Sequence, residues 1–337
     1  SRLTLSILVM IPMSGVLGLC GNLFSPLEMP KYDPQKARLG AKIFTDVRFS
    51  RKGRSCESCH NFYLNDSGAS VRDGRVPTLI NSYYFDRYLG DYNFAGFEAR
   101  IAASVFSENE LDASEDRILE LIRKNLAYKQ AFESAYGEAN TANFIDALKE
   151  FLKSKTAINS KFDRFLRGEV KLNDTEYNGY VLFVRLCSAC HNGVSLGTGS
   201  FTKIRPSAEE EDAPRHRLTS DGFELRRVPS LRNITQTAPY VNGQTDLRLA
   251  VRQIAKDLLK YDLSDGELDA LMSFLATFKC CNSGRRRRRV SRVSRKKRPL
   301  GITGRKCGLS TTIRWSSMCR IFSSNGMTGS LSLLVSR

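Results

Sequence analysis

Cys-x-x-Cys-His occurs twice in this chain, as CESCH at residues 56–60 and as CSACH at 187–191. Two of the chain's three histidines sit in these motifs. No hydrophobic pattern in the sequence constrains the fold as tightly. Residues i and i+3 of a helical turn share a face, so each motif turns two thiols toward one partner. The spacing is the attachment signature of c-type haem. Both thiols reach the vinyl groups of one porphyrin, and the histidine becomes the proximal iron ligand. A thioredoxin-like redox pair leaves the repeated histidine unexplained. A Cys2His2 zinc site would have to join two motifs far apart in sequence, unlike compact zinc modules. The residues therefore point to two covalently attached haem c groups. Cys56, Cys59, Cys187 and Cys190 are the attachment points, and His60 and His191 the iron ligands.

The formal net charge of +17 suggests a nucleic-acid binder until its location is examined. Residues from Lys279 onward carry 16 of the 52 Lys and Arg and none of the 35 Asp and Glu, which leaves 36 bases against 35 acids before them. The body is close to neutral, so no nucleic-acid partner is expected for it. The tail reads as disordered: either a basic arm for nucleic acid or anionic lipid, or a non-native extension such as read-through in a shifted frame. At the other end, LTLSILVMIPMSGVLGL at 3–19 reads as an export signal. The ending LGLC is similar to a lipoprotein cleavage box with Cys20 as the lipid-bearing residue, although Leu19 departs from the usual small residue. Plain secretion and a single membrane anchor are the alternatives. Each places the body outside the cytoplasm, which for a bacterial protein means the periplasm. The Cys20 reading adds a lipid anchor to the membrane.

Between the ends, the patterning is helical. Asp33-Pro34 is a good N-cap and first residue for a helix carrying Leu39 and Ile43. Ile118, Leu119, Ile122 and Leu126 predict one apolar stripe, and Phe144, Leu148 and Phe151 in TANFIDALKEFLK another. Asn173 with Glu176, and Ser264 with Glu267, have the spacing of capping boxes. Leu247, Val251, Ile254 and Leu258 predict a further stripe. Residues 192–243 read as loop, and no strand is expected. A weak repeat, Gly40-x-x-x-Phe44 and Gly179-x-x-x-Phe183, precedes the two motifs. The expected fold class is mainly α, with two cytochrome c-like helical domains and long loops. The expected boundaries are 1–22 for the export signal, 23–165 for the N-terminal domain with linking helices, 166–278 for the C-terminal domain and 279–337 for the tail.

ARLGAKIFTDVRFSRKGRSCESCHN, VPTLINS, FDRFLRGE, LCSACHNG and RRVPSLRNITQTAPYVNG follow one another along the chain. In this order they resemble the landmarks of the bacterial di-haem cytochrome c peroxidase family, which includes the MauG-type enzymes. The resemblance implies peroxide chemistry at the N-terminal haem and electron entry through a higher-potential C-terminal haem. It also implies a small electron-donor protein, a cytochrome c or cupredoxin, and it admits a homodimer. In the MauG-type members the partner is instead a protein substrate whose Tyr or Trp is oxidised. A third reading of the two haems is an electron carrier without turnover. SENEL at 107–111 aligns with the family's catalytic loop, which gives Glu110 the role of peroxidatic acid–base, and FEAR at 97–100 puts Arg100 where Gln is usual.

Several positions depart from the family. Residues 61–81 contain no histidine, which implies a five-coordinate N-terminal haem. The inter-haem Trp aligns with Gly90, with Tyr88 or Tyr92 as substitute relays, and the chain's one Trp is Trp315 in the tail. Ile254 stands at the second haem's distal Met, with Tyr261 as an alternative ligand, and Asn242 replaces a His. Thr237 and Pro239 match calcium carbonyl donors, but Arg75 in place of an Asn donor disfavours the cation. His216 reads as a solvated surface residue, with a distal ligand role as the alternative.

Overall fold

The computed structural model describes residues 23–60, 76–85, 96–204 and 224–280. Cys20, Arg75, Tyr88, Gly90, Tyr92, His216 and Trp315, on which readings above rest, lie outside these residues, as do the export signal and the tail from Cys281.

Helix α1 (Pro34–Thr45) begins where Asp33 accepts the amides of Gln35 and Lys36 at 2.7 and 3.2 Å, with Pro34 at its first position. A one-turn helix α2 (Cys56–Cys59) carries the first motif. Four helices follow: α3 (Phe97–Phe106), α4 (Glu115–Lys124), α5 (Leu126–Tyr136) and α6 (Thr141–Lys153). Short α7 (Lys161–Leu166) leads to α8 (Asp174–Leu186), which runs into the second motif. Helices α9 (Leu247–Asp257) and α10 (Asp265–Ala276) complete the body. The capping boxes expected at Asn173–Glu176 and Ser264–Glu267 both form.

The Gly-x-x-x-Phe repeat marks the same helix crossing made twice. A Cβ on Gly40 would lie 1.9 Å from the Ala147 carbonyl oxygen and 2.8 Å from the Phe151 Cβ on α6. A Cβ on Gly179 would lie 2.0 Å from the Ala270 oxygen and 2.8 Å from the Phe274 Cβ on α10. Each glycine thus lets two helix backbones touch. Four residues on, Phe44 meets Phe151 at 5.1 Å between ring centroids, and Phe183 meets Phe274 at 5.3 Å. Two hydrophobic clusters grow around these crossings. The first holds Ile43, Phe49, Ile118 and Phe144; the second holds Tyr180, Leu268 and Phe278.

The second cluster reaches further back along the chain than the expected start at 166. Phe162 is fully buried in it, 5.2 Å from the Phe274 ring and 5.1 Å from that of Phe278. Phe24 packs on Phe162 at 5.5 Å, and its neighbour Leu23 accepts the Gly193 amide at 2.7 Å. A buried ion pair fixes the arrangement. Arg232 donates through Nη1 to the Asp163 carboxylate at 2.5 Å, through Nη2 to the Ser25 carbonyl and through Nε to the Val194 carbonyl, while Asp163 also accepts the Leu27 amide. The packed body also runs past Phe278. Cys280, assigned to the tail by its sequence, is buried, and its amide donates to Asn233 Oδ1.

Three helical and strand expectations change. Leu126 is 67% exposed, because Asn125 ends α4 and caps α5, turning the chain between them. Helix α9 buries Ala250 and Ala255 and packs Leu247 and Val251 against the second core, while Ile254 and Leu258 are about half exposed, so only the first half of the expected stripe faces inward. Within 192–243, β1 (Phe201–Ile204) pairs antiparallel with β2 (Glu224–Arg227), Phe201 opposite Arg227. Four residues are too few to display a period of two against a loop background.

Gly40→Ala and Gly179→Ala should each lower the unfolding free energy by roughly 3 kcal/mol, since the added methyl forces backbones apart in a packed core. Denaturant unfolding checks this; midpoints equal to the parent's would show that the crossings have slack.

Candidate functional site: two Cys-x-x-Cys-His turns

Ser55 and Ser58 build the first turn by a reciprocal capping box, Ser58 N to Ser55 Oγ at 3.2 Å and Ser55 N to Ser58 Oγ at 3.0 Å. The His60 amide then closes on the Cys56 carbonyl at 2.8 Å, and the His191 amide on the Cys187 carbonyl at 2.9 Å. Both motifs thus close with the same bond from the histidine amide to the first cysteine's carbonyl. None of the four thiols is in a disulfide. Burial pushes the Cys56 and Cys187 thiols up to about 12 and lowers the His191 ring below its usual value, the neutral form that a metal takes. Among the described residues no three His, Cys, Asp or Glu side chains converge in a metal-holding group.

The imidazoles are oriented by backbone carbonyls. His60 Nδ1 lies 3.1 Å from the Pro77 oxygen, and His191 Nδ1 lies 3.0 Å from the Leu196 oxygen with the Pro229 carbonyl beside it. With Nδ1 engaged, Nε2 is the nitrogen that iron would take. Two thiols on one turn followed by an imidazole held in this way fit haem c at both motifs.

Pro77 and Pro229 occupy the same place in two copies of one block, VPTLIN at 76–81 and VPSLRN at 228–233. Asn81 and Asn233 are both buried and left-handed, with φ of 65° and 59°, and each precedes a 3-10 turn. Asn81 Oδ1 accepts the Ala157 amide at 2.7 Å, and Asn233 Oδ1 accepts the Cys280 amide at 2.8 Å. Each block is therefore pinned to the chain just beyond the helix that crosses the glycine. The sequence shows both blocks, but only the folded chain shows that they face the histidines. Their internal similarity was the signal that could have found them.

Glu110 and Arg100 are brought together beside the first motif. Arg100 Nη2 on α3 is 3.0 Å from Glu110 Oε1. Residues 107–112 are clamped to the turn that precedes Cys56. Arg51 pairs with Asp112 at 2.6 Å, Lys52 donates to the Glu108 carbonyl at 2.9 Å, and Arg54 donates to the carbonyls of Glu108 and Asn109 at 2.8 and 3.2 Å. Burial raises the Cys56 and Cys59 thiols most, and Glu110 is near enough for its charge to raise both further, against the opposing charge of Arg54 at Cys59. The Arg100–Glu110 pair is half exposed and is worth about 1 kcal/mol or less, so its contribution is to position the two side chains. The clamping cations Arg51, Lys52 and Arg54 were not singled out in the sequence. At the second motif, Ile254 sits on the partly exposed face of α9, and the Tyr261 hydroxyl is engaged by Arg185 and Glu267 at 2.7 and 2.6 Å.

A family model described as di-haem cytochrome c peroxidase matches residues 34–171. Residues 34–171 thus carry a domain of the di-haem cytochrome c peroxidase/MauG family. Cytochrome c551 peroxidase of Nitrosomonas europaea is 27% identical over 82% of this chain and 90% of its own. The methylamine utilization protein MauG of Methylorubrum extorquens is 26% identical over 73% of this chain and 78% of its own. The crystal structure of a MauG-like protein associated with microbial copper homeostasis superposes with a TM-score of 0.62 at 23% identity, covering 83% of this chain and 96% of that one. This likeness shows the fold: a mainly helical architecture of the MauG-like cytochrome c kind. The family is one of peroxidase oxidoreductases carrying two haem c groups.

Gly197 tests the second proximal site. Its φ is +136°, and a Cβ there would lie 2.3 Å from the Pro229 oxygen and 3.3 Å from His191 Nδ1. Gly197→Ala is expected to displace that carbonyl at a strain cost of about 1–3 kcal/mol. Covalent haem in the mature protein, measured as pyridine haemochrome, should fall by up to half; an unchanged content and spectrum would contradict the packing argument.

Proposed function

We propose that the chain is an exported di-haem peroxidase that reduces hydrogen peroxide at the His60 site with electrons received through the His191 site. The observation that carries this reading is the Arg100–Glu110 pair, held next to CESCH by Arg51, Lys52 and Arg54. Haem supplies the redox chemistry when bound. Glu110 takes a proton from the incoming peroxide oxygen and returns it to the departing one, so that water rather than hydroxide leaves. Arg100 offsets negative charge that develops as the O–O bond breaks. In the balanced reaction, hydrogen peroxide, two protons and two electrons give two waters. The electrons come from a reduced small redox protein, a cytochrome c or cupredoxin. The location would be the periplasm. Among the described residues no helix is long and apolar enough to cross a membrane; a lipid on Cys20 would attach the body to the membrane, with the 3–19 segment as a membrane anchor the alternative.

A second reading keeps the peroxide chemistry and draws the electrons from a Tyr or Trp of a partner protein. Ile254 favours it: a side chain that cannot ligate iron stands where the family's electron-entry haem has Met. Relatives named MauG are among the similar proteins.

Glu110→Gln in the mature protein should lower kcat/KM for hydrogen peroxide by roughly 100-fold or more, the range for loss of general acid–base work. Stopped-flow peroxide consumption measures it, and a parent-like rate would remove Glu110 from the mechanism. Steady turnover with a reduced small cytochrome is expected under the first reading. Peroxide consumption only when a protein substrate is present would select the second.

A further inference from the structure

We propose that Ser195 is a positioning residue for both haem histidines at once. Its hydroxyl, on a residue only 1% exposed, donates to the Tyr84 carbonyl at 2.5 Å. Tyr84 closes the 3-10 turn that follows VPTLIN, its amide bonded to the Asn81 carbonyl at 2.9 Å. That block supplies the Pro77 carbonyl to His60. On the other side, the Ser195 carbonyl accepts the Ser230 hydroxyl at 2.5 Å, and Ser230 belongs to VPSLRN. The next carbonyl along, that of Leu196, receives His191 Nδ1 and the Leu231 amide. A single buried serine therefore bonds directly to the second block and, through the turn that Tyr84 closes, reaches the first.

The connection is short and stiff. Planar peptides and buried hydrogen bonds leave few soft torsions between Leu196 and Ser195, and Asn81 anchors the far segment to Ala157. A second contact brackets it. The Arg227 guanidinium, one residue before Val228, lies 5.1 Å from the centroid of Phe85, one residue after Tyr84. Ile254 and Tyr261 take no part in this path. A shift of Ser195 therefore alters the hydrogen bond behind each imidazole, and with it the ligand strength that sets an iron potential.

The proposal rests on the two-haem reading and is tested with the full chain carrying both haems. Spectroelectrochemical titration, with the two haems resolved by their electron paramagnetic resonance signals, gives one midpoint for each. Ser195→Ala is expected to move both midpoints, each by a change of up to about tenfold in the oxidised-to-reduced ratio, or 59 mV for one electron. Ser195→Thr, which keeps the hydroxyl, should restore both. Ser230→Ala leaves the Tyr84 bond intact and should move the His191 haem alone. If the alanine variant does not accumulate with haem, Ser195→Cys carries the same comparison, since a thiol is a weak donor of similar size. A Ser195 variant whose His60 haem keeps its parent potential overturns the proposal. Fewer than two covalent haems in the parent, by pyridine haemochrome, would overturn the reading beneath it.

Discussion

Backbone contact between two helices, permitted by a glycine on one of them, is the constraint from which both halves of this body are built. Where Gly40 meets Ala147 and Gly179 meets Ala270, the absence of a side chain lets α1 lie on α6 and α8 on α10. The aromatic pairs one turn later, Phe44 with Phe151 and Phe183 with Phe274, fill the wedge that opens beyond each contact. Close contact also fixes where the chain goes next. Residues just past α6 and α10 return to bind Asn81 and Asn233, and those asparagines hold the blocks whose prolines face the histidines. Helix crossing, asparagine anchor and imidazole thus form one sequence of dependencies, and it occurs twice.

Much of this was legible before folding. The cysteine and histidine spacing needed no tertiary information, because haem attachment is a local geometry of five residues. Helix ends marked by Asp33, Asn173 and Ser264 were readable because capping is also local. What the sequence hid was long-range or too short to have a period. Leu126 continues a 3.6-residue pattern, but Asn125 breaks the helix, and a periodic reading has no sense of the break. The α9 stripe held for Leu247 and Val251 but not for Ile254 and Leu258, because Ala250 and Ala255 take the buried positions. Glu110 and Arg100 were each singled out from order along the chain, but neither their pairing nor the cations that hold the 107–112 segment in place were, since solvated surface charge looks the same in sequence.

The two halves are alike in scaffold and unlike in surroundings. Beside CESCH lies a carboxylate with a guanidinium at hydrogen-bond distance, and three cations tie that segment down. Beside CSACH, the groups near α9 are apolar or already committed to one another, as Tyr261 is to Arg185 and Glu267. Under the proposed function, the paired carboxylate and guanidinium at the first turn would carry its proton transfer.

The buried pair of Arg232 with Asp163, and the insertion of Phe24 beside Phe162, mean that the second core is made from three separated stretches of chain. Residues near 24 complete a core whose last helix ends at 276. The halves are therefore interlaced, not strung in series. A cut made between them would not release two working cytochromes, because the later one would lose an aromatic wall and the counter-ion of a buried guanidinium. Closure of such a long loop is slow compared with local helix formation. Packing of the second core must therefore wait for both ends of the body to meet.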